Sequence, residues 1–432
     1  MDSTVKPRVL LSAYQCGPGK GSVSQIGWEW YSRLVKKGVP ITLITHARNR
    51  DELLEAGAPL AHSEIIFIDT EWFAKPLYNL ASKFFSSDED SIFFISSFDF
   101  YLYDWQTIKQ LKQHLKAGAQ WDIIHAVTPV SPMAATRLHI FNRPLILGPW
   151  NGGLKHPAAF HEIKKAENAW LHSIRHLGRL VDRLVGTSRH ASIILTATQA
   201  TRKMIRECYQ SRCRFLLENG VNLDLFTPAP WPTKPSRTQP LLMVFIGRFQ
   251  AFKGLPMLLE AIARLSLKES MPVKLTIVGD GPLREKWENQ AKRLQINHLI
   301  NWYGAAPLAE VVEQLHVAHV LCLPSVRESG GAVLIEAMAC ARPVLTVKYG
   351  GPGELVDDQV GQAIPPEGGA SGVIAGLVEA LSDIFEHPEV WRQRGIVGRQ
   401  RAEQLYSWDA KIDQGIALYQ ELSTTHQVEI ER

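Results

Sequence analysis

The sequence predicts an α/β protein made of two doubly wound domains, each a parallel sheet with helices on both faces. Two observations carry this. Short, near-continuously apolar runs alternate with amphipathic stretches through the whole sequence, the pattern of strands buried on both faces and of the helices that connect them. Between two such series, residues 226–240 hold five prolines in fifteen positions, which forbids helix and central strand and reads as a linker. A length of 432 residues fits this division.

In the first half the strands are expected at 8–13, 40–45, 64–69, 121–127, 144–148, 192–196 and 214–217. A glycine-rich turn, Gly17-Pro18-Gly19-Lys20-Gly21-Ser22, follows the first strand and leads into a helical stretch at 25–37. It departs from the phosphate-binding patterns G-x-x-x-x-G-K-[ST] and G-x-G-x-x-G, but still lets backbone N–H groups approach an anion or a sugar at a helix start. Residues 72–105 break the strand–helix rhythm with a dense aromatic cluster and read as an insertion, either a local aromatic core or a lid facing an acceptor or a membrane. In the second half the strands are expected at 241–246, 273–278, 298–302, 320–323 and 343–346, with helices such as 255–267 and 331–340 between them.

Composition closes off several classes. With 45% hydrophobic and 21% charged residues the chain is an ordinary globular one, neither disordered nor fibrous. A net charge of +4 gives no reason to expect nucleic acid as a partner. Five cysteines without a C-x-x-C pair suggest neither a disulfide framework nor a zinc site and point to a reduced, cytoplasmic setting. No run approaches 18 apolar residues, and the start lacks the apolar stretch of a signal peptide. Charge is nevertheless uneven: from Lys164 to Arg214 eleven Lys and Arg face three acids, a local excess of +8. The stretch 169–185 within it has apolar residues at helical spacing and reads in one of two ways: a core-packed helix with a solvated basic face, or a basic amphipathic helix that lies on an anionic membrane surface and gives the chain a peripheral position at the inner face of the membrane.

Two further features carry chemistry. Strand 241–246 ends in Gly247-Arg248-Phe249, with Lys253-Gly254 at the next helix start, so two cations stand at the carboxyl end of a parallel strand. Arg grips two phosphate oxygens and Lys acts as a point charge, a division that suits a diphosphate. Strand 320–323 runs into Pro324-Ser325-Val326-Arg327-Glu328-Ser329-Gly330-Gly331 and then a helix containing Glu336. Gly330 and Gly331 leave amide donors uncovered, and the two carboxylates, eight residues apart, reach different hydroxyl-rich parts of one ligand. Asp88-Glu89-Asp90 is formally a D-x-D metal signal, but it sits in a serine-rich part of the insertion and reads as solvated charge, so no metal is expected.

Taken in order, Gly247-Arg248-Phe249, Lys253-Gly254, Gly279-Asp280-Gly281-Pro282, Tyr303-Gly304, Glu328-x7-Glu336, Gly350-Gly351-Pro352-Gly353-Glu354 and Asn219-Gly220-Val221-Asn222 resemble the retaining glycosyltransferases of family 4, also called group 1, of the GT-B fold. The resemblance implies two Rossmann-like domains facing a cleft: an acceptor domain at 1–225, the linker at 226–240, a nucleotide-sugar domain at 241–405, and a last helix at 406–432 that returns to the first domain. It implies hinges at the linker and near 402–408. It also implies transfer of a hexosyl group from a nucleoside-diphosphate sugar to a glycan or lipid-linked acceptor, with retained configuration and no cofactor. Arg248 and Lys253 would bind the diphosphate, Glu328 the sugar hydroxyls and Glu336 the ribose, with Gly247 and the amides of Gly330, Gly331 and Ala332 lining the donor. In the first domain His125 matches the family's active-site histidine, and Gly19 and Gly21 its glycine-rich loop. Trp150-Asn151-Gly152-Gly153 resembles a subgroup of bacterial polysaccharide and lipid-linked transferases and either lines the acceptor side or forms a structural turn. The sequence departs from the family at Val23, where many relatives carry Glu, and at Val127, where a second histidine is absent. Two other functions fit the same architecture: a sugar-nucleotide epimerase and a non-catalytic sugar-nucleotide-binding partner.

Overall fold

The structure is a computed structural model that describes residues 6–19, 21–81, 88–154, 157–160, 180–268 and 271–430. The chain forms two compact units: Met1–Gly153 with Trp170–Glu218 and Lys411–Arg432, and Leu154–Ala169 with Asn219–Ala410. Most of the basic stretch 169–185 lies outside the described residues.

The first unit holds a seven-stranded sheet. In chain order its described elements are β1 (Val9–Ala13), α1 (Ser22–Lys36), β2 (Ile41–His46), α2 (Arg50–Glu55), β3 (Ser63–Ile68), α3 (Glu71–Ala81), α4 (Asp88–Lys116), β4 (Ile123–Thr128), β5 (Leu145–Trp150), α5 (Thr187–His190), β6 (Ile193–Thr196), α6 (Gln199–Arg202) and β7 (Cys213–Phe215). The strands lie in the order β3-β2-β1-β4-β5-β6-β7, all parallel. The central strands are covered on both faces, which is why β1 reads as five consecutive buried residues rather than an alternation. Helix α1 buries Ile26, Trp30, Tyr31 and Leu34 at helical spacing. It approaches the turn after β1 so closely that a Cβ on Gly27 would stand 2.3 Å from the Gln15 carbonyl oxygen, and only glycine permits that contact.

The aromatic insertion folds as α3 and α4. Phe100, Tyr103, Ile108 and Leu111 of α4 enter the core beside Tyr14, Trp121 and Trp150, whereas Trp72 and Trp105 stay exposed. Both carboxylates in the described side-chain part of α4 point inward: Asp99 pairs with Arg48 at 2.6 Å, and Asp104 with Arg137 at 2.8 Å and the Thr136 hydroxyl at 2.6 Å. Burying a carboxylate is tolerated only with such partners.

The second unit carries β8 (Leu241–Ile246), α7 (Leu255–Lys268), β9 (Val273–Val278), α8 (Arg284–Arg293), β10 (Ile300–Gly304), α9 (Leu308–Val317), β11 (Val320–Leu323), α10 (Ala332–Ala339), β12 (Val344–Val347), α11 (Gly350–Leu355), β13 (Gly361–Ile364), α12 (Gly369–Glu386) and α13 (Pro388–Arg401). Its six strands are parallel in the order β10-β9-β8-β11-β12-β13. Strand β13 was not expected: its four residues, Gly-Gln-Ala-Ile, have neither the apolar run nor the branching that marks a strand.

The proline-rich segment 226–240 is not a free linker. Arg342, fully buried, donates to the carbonyls of Ala229 (3.1 Å), Pro230 (2.9 Å), Leu315 (2.8 Å) and His316 (2.7 Å). His316 Nε2 donates to Thr227 O at 2.7 Å, His319 Nε2 to Thr233 O at 2.9 Å, and Trp231 Nε1 to His319 O at 2.9 Å. Five prolines without N–H groups keep this segment out of a ladder, and these side chains donate to its carbonyls instead. The expectation of a hinge within 226–240 is therefore corrected: that stretch is fastened to the second unit, and the division between units falls at Glu218 and Asn219.

The last helix, α14 (Trp408–Ile430), follows a π-helical turn at Ala402–Tyr406. From Lys411 on it belongs to the first unit. Gly415 lies on the Trp30 ring, where a Cβ would approach to 2.6 Å, and Asp413 pairs with Lys37 at 2.7 Å. Lys411, fully buried, donates to the Leu217 carbonyl.

Candidate active site

In a doubly wound sheet the helix starts and loops that follow the strands gather at the carboxyl edge. In the second unit that edge is built by backbone meeting backbone. A Cβ on Gly279 would stand 2.1 Å from Gly247 O, and one on Gly281 would stand 2.9 Å from Phe249 N, so the loops after β8 and β9 touch only because these positions are glycine. Phe249 is buried against Trp287, with ring centroids 4.9 Å apart. Beside it Arg248 is exposed.

Lys253 closes a short 3-10 turn, Ala251–Lys253, and Gly254 follows with φ 72°. A side chain at 254 would meet Pro324 O at 2.0 Å, which locks this turn against the end of β11. The Lys253 side chain thus passes over Gly247, whose ideal Cβ position is 3.7 Å from Lys253 Cε, and its ammonium donates to Glu328 Oε2. Phe252 lies below this pair, with the Lys253 ammonium 5.7 Å and the Arg327 guanidinium 5.5 Å from its ring centre. Phe252 and Arg327 escaped the sequence reading, although each adjoins a residue it named.

The loop carrying Glu328 is gripped from its other side by α11: Gly351 N donates to Glu328 O at 3.0 Å, and a Cβ on Gly351 would stand 1.9 Å from Ser329 O. Helix α10 then begins after Gly331, at φ 58°, with no side-chain cap and no acid in its first turn. Its first turn, in which Leu334 N donates to Gly331 O at 2.9 Å, therefore presents the partial positive charge of a helix start. Glu336, one turn further on, has a side chain with no hydrogen-bond or ion-pair partner among the described residues, and burial pushes its carboxyl up to about 7. The structure thus gathers Gly247, Arg248, Lys253, Glu328, Gly330, Gly331, Ala332 and Glu336 at one edge of one sheet. Among the described residues no three His, Cys, Asp or Glu side chains are grouped to hold a metal ion.

The remaining predicted residues belong to the first unit. Gly19 and Gly21 have φ of 77° and 90° and nothing within 4 Å of an ideal Cβ, so their loop is open to solvent. His125 is different. It is fully buried in β4, its Nε2 donates to Gly148 O at 2.7 Å, its Nδ1 accepts from the Tyr419 hydroxyl at 2.6 Å, and the Trp30 ring stands edge-on at 4.8 Å. Burial holds its pKa down to about 4, so the ring is neutral. For the expectation of a catalytic His125 the finding is that both ring nitrogens are occupied here and that the residue fastens α14 to β4.

Of the two readings of Trp150-Asn151-Gly152-Gly153, acceptor side or structural turn, the contacts of this segment favour the turn. Trp150 is a core residue of β5, Asn151 Nδ2 donates to Glu218 at 2.5 Å, and Gly152 exchanges two hydrogen bonds with the Thr201 hydroxyl. A Cβ on Gly153 would meet Met204 Sδ at 2.4 Å, so this is a structural turn. A polar cluster that the sequence reading missed lies at the carboxyl edge of β1, β2 and β3. There buried Asp99 accepts from the Tyr14 hydroxyl (2.5 Å), Arg48 (2.6 Å) and Thr70, whose hydroxyl also meets His46 Nε2 at 2.7 Å. Its five members come from four separate segments, which no local motif could join.

Residues 232–397 match the model of the family described as glycosyl transferases group 1. The chain is 28% identical over 197 residues to a glycogen synthase of Mycobacterium tuberculosis, covering 45% of each protein. Over nearly the whole chain the fold is shared with solved structures. The lipopolysaccharide outer core galactosyltransferase WaaB has a TM-score of 0.64 at 16% identity, covering 96% of this chain and all of that one. Anabaena HepE in complex with UDP and glucose has a TM-score of 0.58 at 17% identity, covering 96% and 99%. The chain is related to the group 1 glycosyltransferases and has the GT-B fold. It spans about half the length of the curated relatives it matches. The matched region contains Arg248, Lys253, Glu328 and Glu336, the residues that the second unit brings together, and none of the first unit's candidates.

Proposed function

We propose that the protein transfers a sugar from a nucleoside-diphosphate sugar to a glycan or lipid-linked acceptor with retention of anomeric configuration. The observation that carries this reading is the edge of the second sheet, where the Lys253–Glu328 pair, the uncapped start of α10 and the unpartnered Glu336 carboxyl lie in one set of loops. Breaking a sugar–phosphate bond leaves negative charge on the departing diphosphate. Arg248, Lys253 and the α10 amides are positive sources of the kind that stabilise that charge more in the transition state than before it. In the ligand-free protein Glu328 neutralises Lys253; a diphosphate takes over the ammonium and frees the Glu328 carboxylate for sugar hydroxyls. Glu336 is suited to a ribose, because two adjacent hydroxyls donating to its carboxylate supply the partners it lacks and favour its ionised form.

The relatives' printed functions, glycogen synthase and galactosyltransferase among them, are transfers of sugars, and HepE holds UDP. Retention and the acceptor class rest on the resemblance of the motifs, a cytoplasmic setting on the few unpaired cysteines and a membrane-peripheral position on the local basic excess at 164–214; front-face attack with the leaving phosphate accepting the acceptor's proton is the corresponding mechanism. The test is a panel of UDP-, GDP- and ADP-sugars with a crude lipid or glycan fraction. Release of one nucleoside diphosphate with a matching gain in acceptor mass supports transfer. An isomerised donor without release, or binding without turnover, refutes it.

A further inference from the structure

Helix α4 has an outer face that the proposed reaction does not use. Phe98, Leu102, Trp105, Lys109, Lys112 and Lys116 follow one another at intervals of three or four, so they form a single stripe along the helix. Phe98 is 47% and Trp105 52% exposed, and all three lysines are exposed. Helix α3 packs on α4 and adds Trp72, 65% exposed, and exposed Lys75.

From Phe98 on, the charge on this stripe is of one sign because the described acids of the helix face the core. Between Phe98 and Lys116 the only carboxylates are Asp99 and Asp104, both buried and paired with arginines on the core side. The three lysines have no ion pair among the described residues, and Lys109 lies 5.9 Å from the Trp105 ring centre. A helix whose outer face consists of aromatic residues at one end and lysines at the other matches a surface with an apolar interior and anionic headgroups. Tryptophan settles at such a boundary, and lysine stems lie along apolar surface while their ammonium groups reach the phosphates.

We propose that the outer stripe of α4, with Trp72 and Lys75 of α3, docks the first unit on an anionic phospholipid membrane. The surface proposed is on α4, the stretch 169–185 lying mostly outside the described residues, and the proposal stands independently of the proposed transfer.

Co-sedimentation with vesicles of phosphatidylcholine alone and of phosphatidylcholine with phosphatidylglycerol tests this, using the full chain, Lys109→Glu/Lys112→Glu/Lys116→Glu, the milder Lys→Gln triple, and Trp72→Ser/Trp105→Ser. Binding of the wild type to the anionic vesicles, falling with salt, is expected. It should weaken on the order of a hundredfold in the Glu triple and less in the Gln triple. The tryptophan double variant should bind more weakly to the same vesicles. Melting temperature and donor hydrolysis, read on the same samples, should stay at wild-type values, so that failure here is distinct from failure of the transferase reading. No binding by the wild type at low salt, equal binding to both vesicle types, or wild-type binding by the Glu triple would overturn the proposal.

Discussion

Replacing Lys253 by alanine separates a structural role from a chemical one. The ammonium has one carboxylate partner, Glu328, and the two side chains are 15% and 18% exposed. Removing it leaves Glu328 near enough to water to be solvated, so the stability loss should be about 1 kcal/mol, within the range for partly exposed pairs. The loss in catalysis should be larger. If the ammonium moves to the diphosphate as the bond breaks, its removal forfeits a positioned donor to developing charge, about 3 kcal/mol or roughly a hundredfold in turnover. The assay is initial-rate nucleoside-diphosphate release with the preferred donor, alongside thermal melting of the same preparation. A fall in kcat/KM of about two orders of magnitude with a melting temperature lowered by a few degrees is expected. Turnover within threefold of wild type would refute the reasoning, as would a loss of activity that only mirrors a loss of fold.

Glu336→Gln should stabilise the ligand-free protein in a pH-dependent way. The carboxyl titrates near 7 in the folded chain against an ordinary 4.5. Its contribution to stability is therefore intact below about 4.5 and is lost as pH rises through about 7, by up to about 3 kcal/mol. The melting difference between variant and wild type should grow across that interval and level off above it, while nucleotide affinity falls. Tyr419→Phe removes the donor to His125 Nδ1 and should cost about 1–3 kcal/mol of stability with an unchanged KM for the donor. A lower kcat at an unchanged melting temperature would instead place His125 in the reaction. Arg342→Ala leaves the carbonyls of Ala229, Pro230, Leu315 and His316 without that donor, and limited proteolysis should cut within 226–240 well before the wild type is cut there.

The fold class was legible because both sheets are parallel and central strands buried on two faces announce themselves: 241–246, 273–278 and 320–323 were read to the residue. Strand β13 was not legible, since it pairs at the edge of the sheet with Gly361 packed 1.9 Å, by its ideal Cβ, from Val344 O, a fit that local sequence does not show. That the donor-side candidates share one sheet edge was legible because Arg248, Lys253 and Glu328 lie in the loops that follow β8 and β11, and the fold gathers strand ends; Glu336 lies further on, within α10. The burial of His125 and Trp150 was not legible: each lies on a strand, where side chains alternate between faces, and the sequence does not say which face meets a ligand and which meets Tyr419 or the core. The proline-rich stretch misled because its partners, Arg342, His316 and His319, lie more than eighty residues away.

The central claim is that the carboxyl edge of the second sheet seats a nucleoside diphosphate, and titration calorimetry with UDP, GDP and ADP tests it without knowledge of sugar or acceptor. One of the three should bind to the wild type, more weakly to Lys253→Ala and to Glu336→Gln, each by roughly tenfold or more, as expected for loss of a charge-assisted contact. No binding by any of the three, or undiminished binding by both variants, would contradict it.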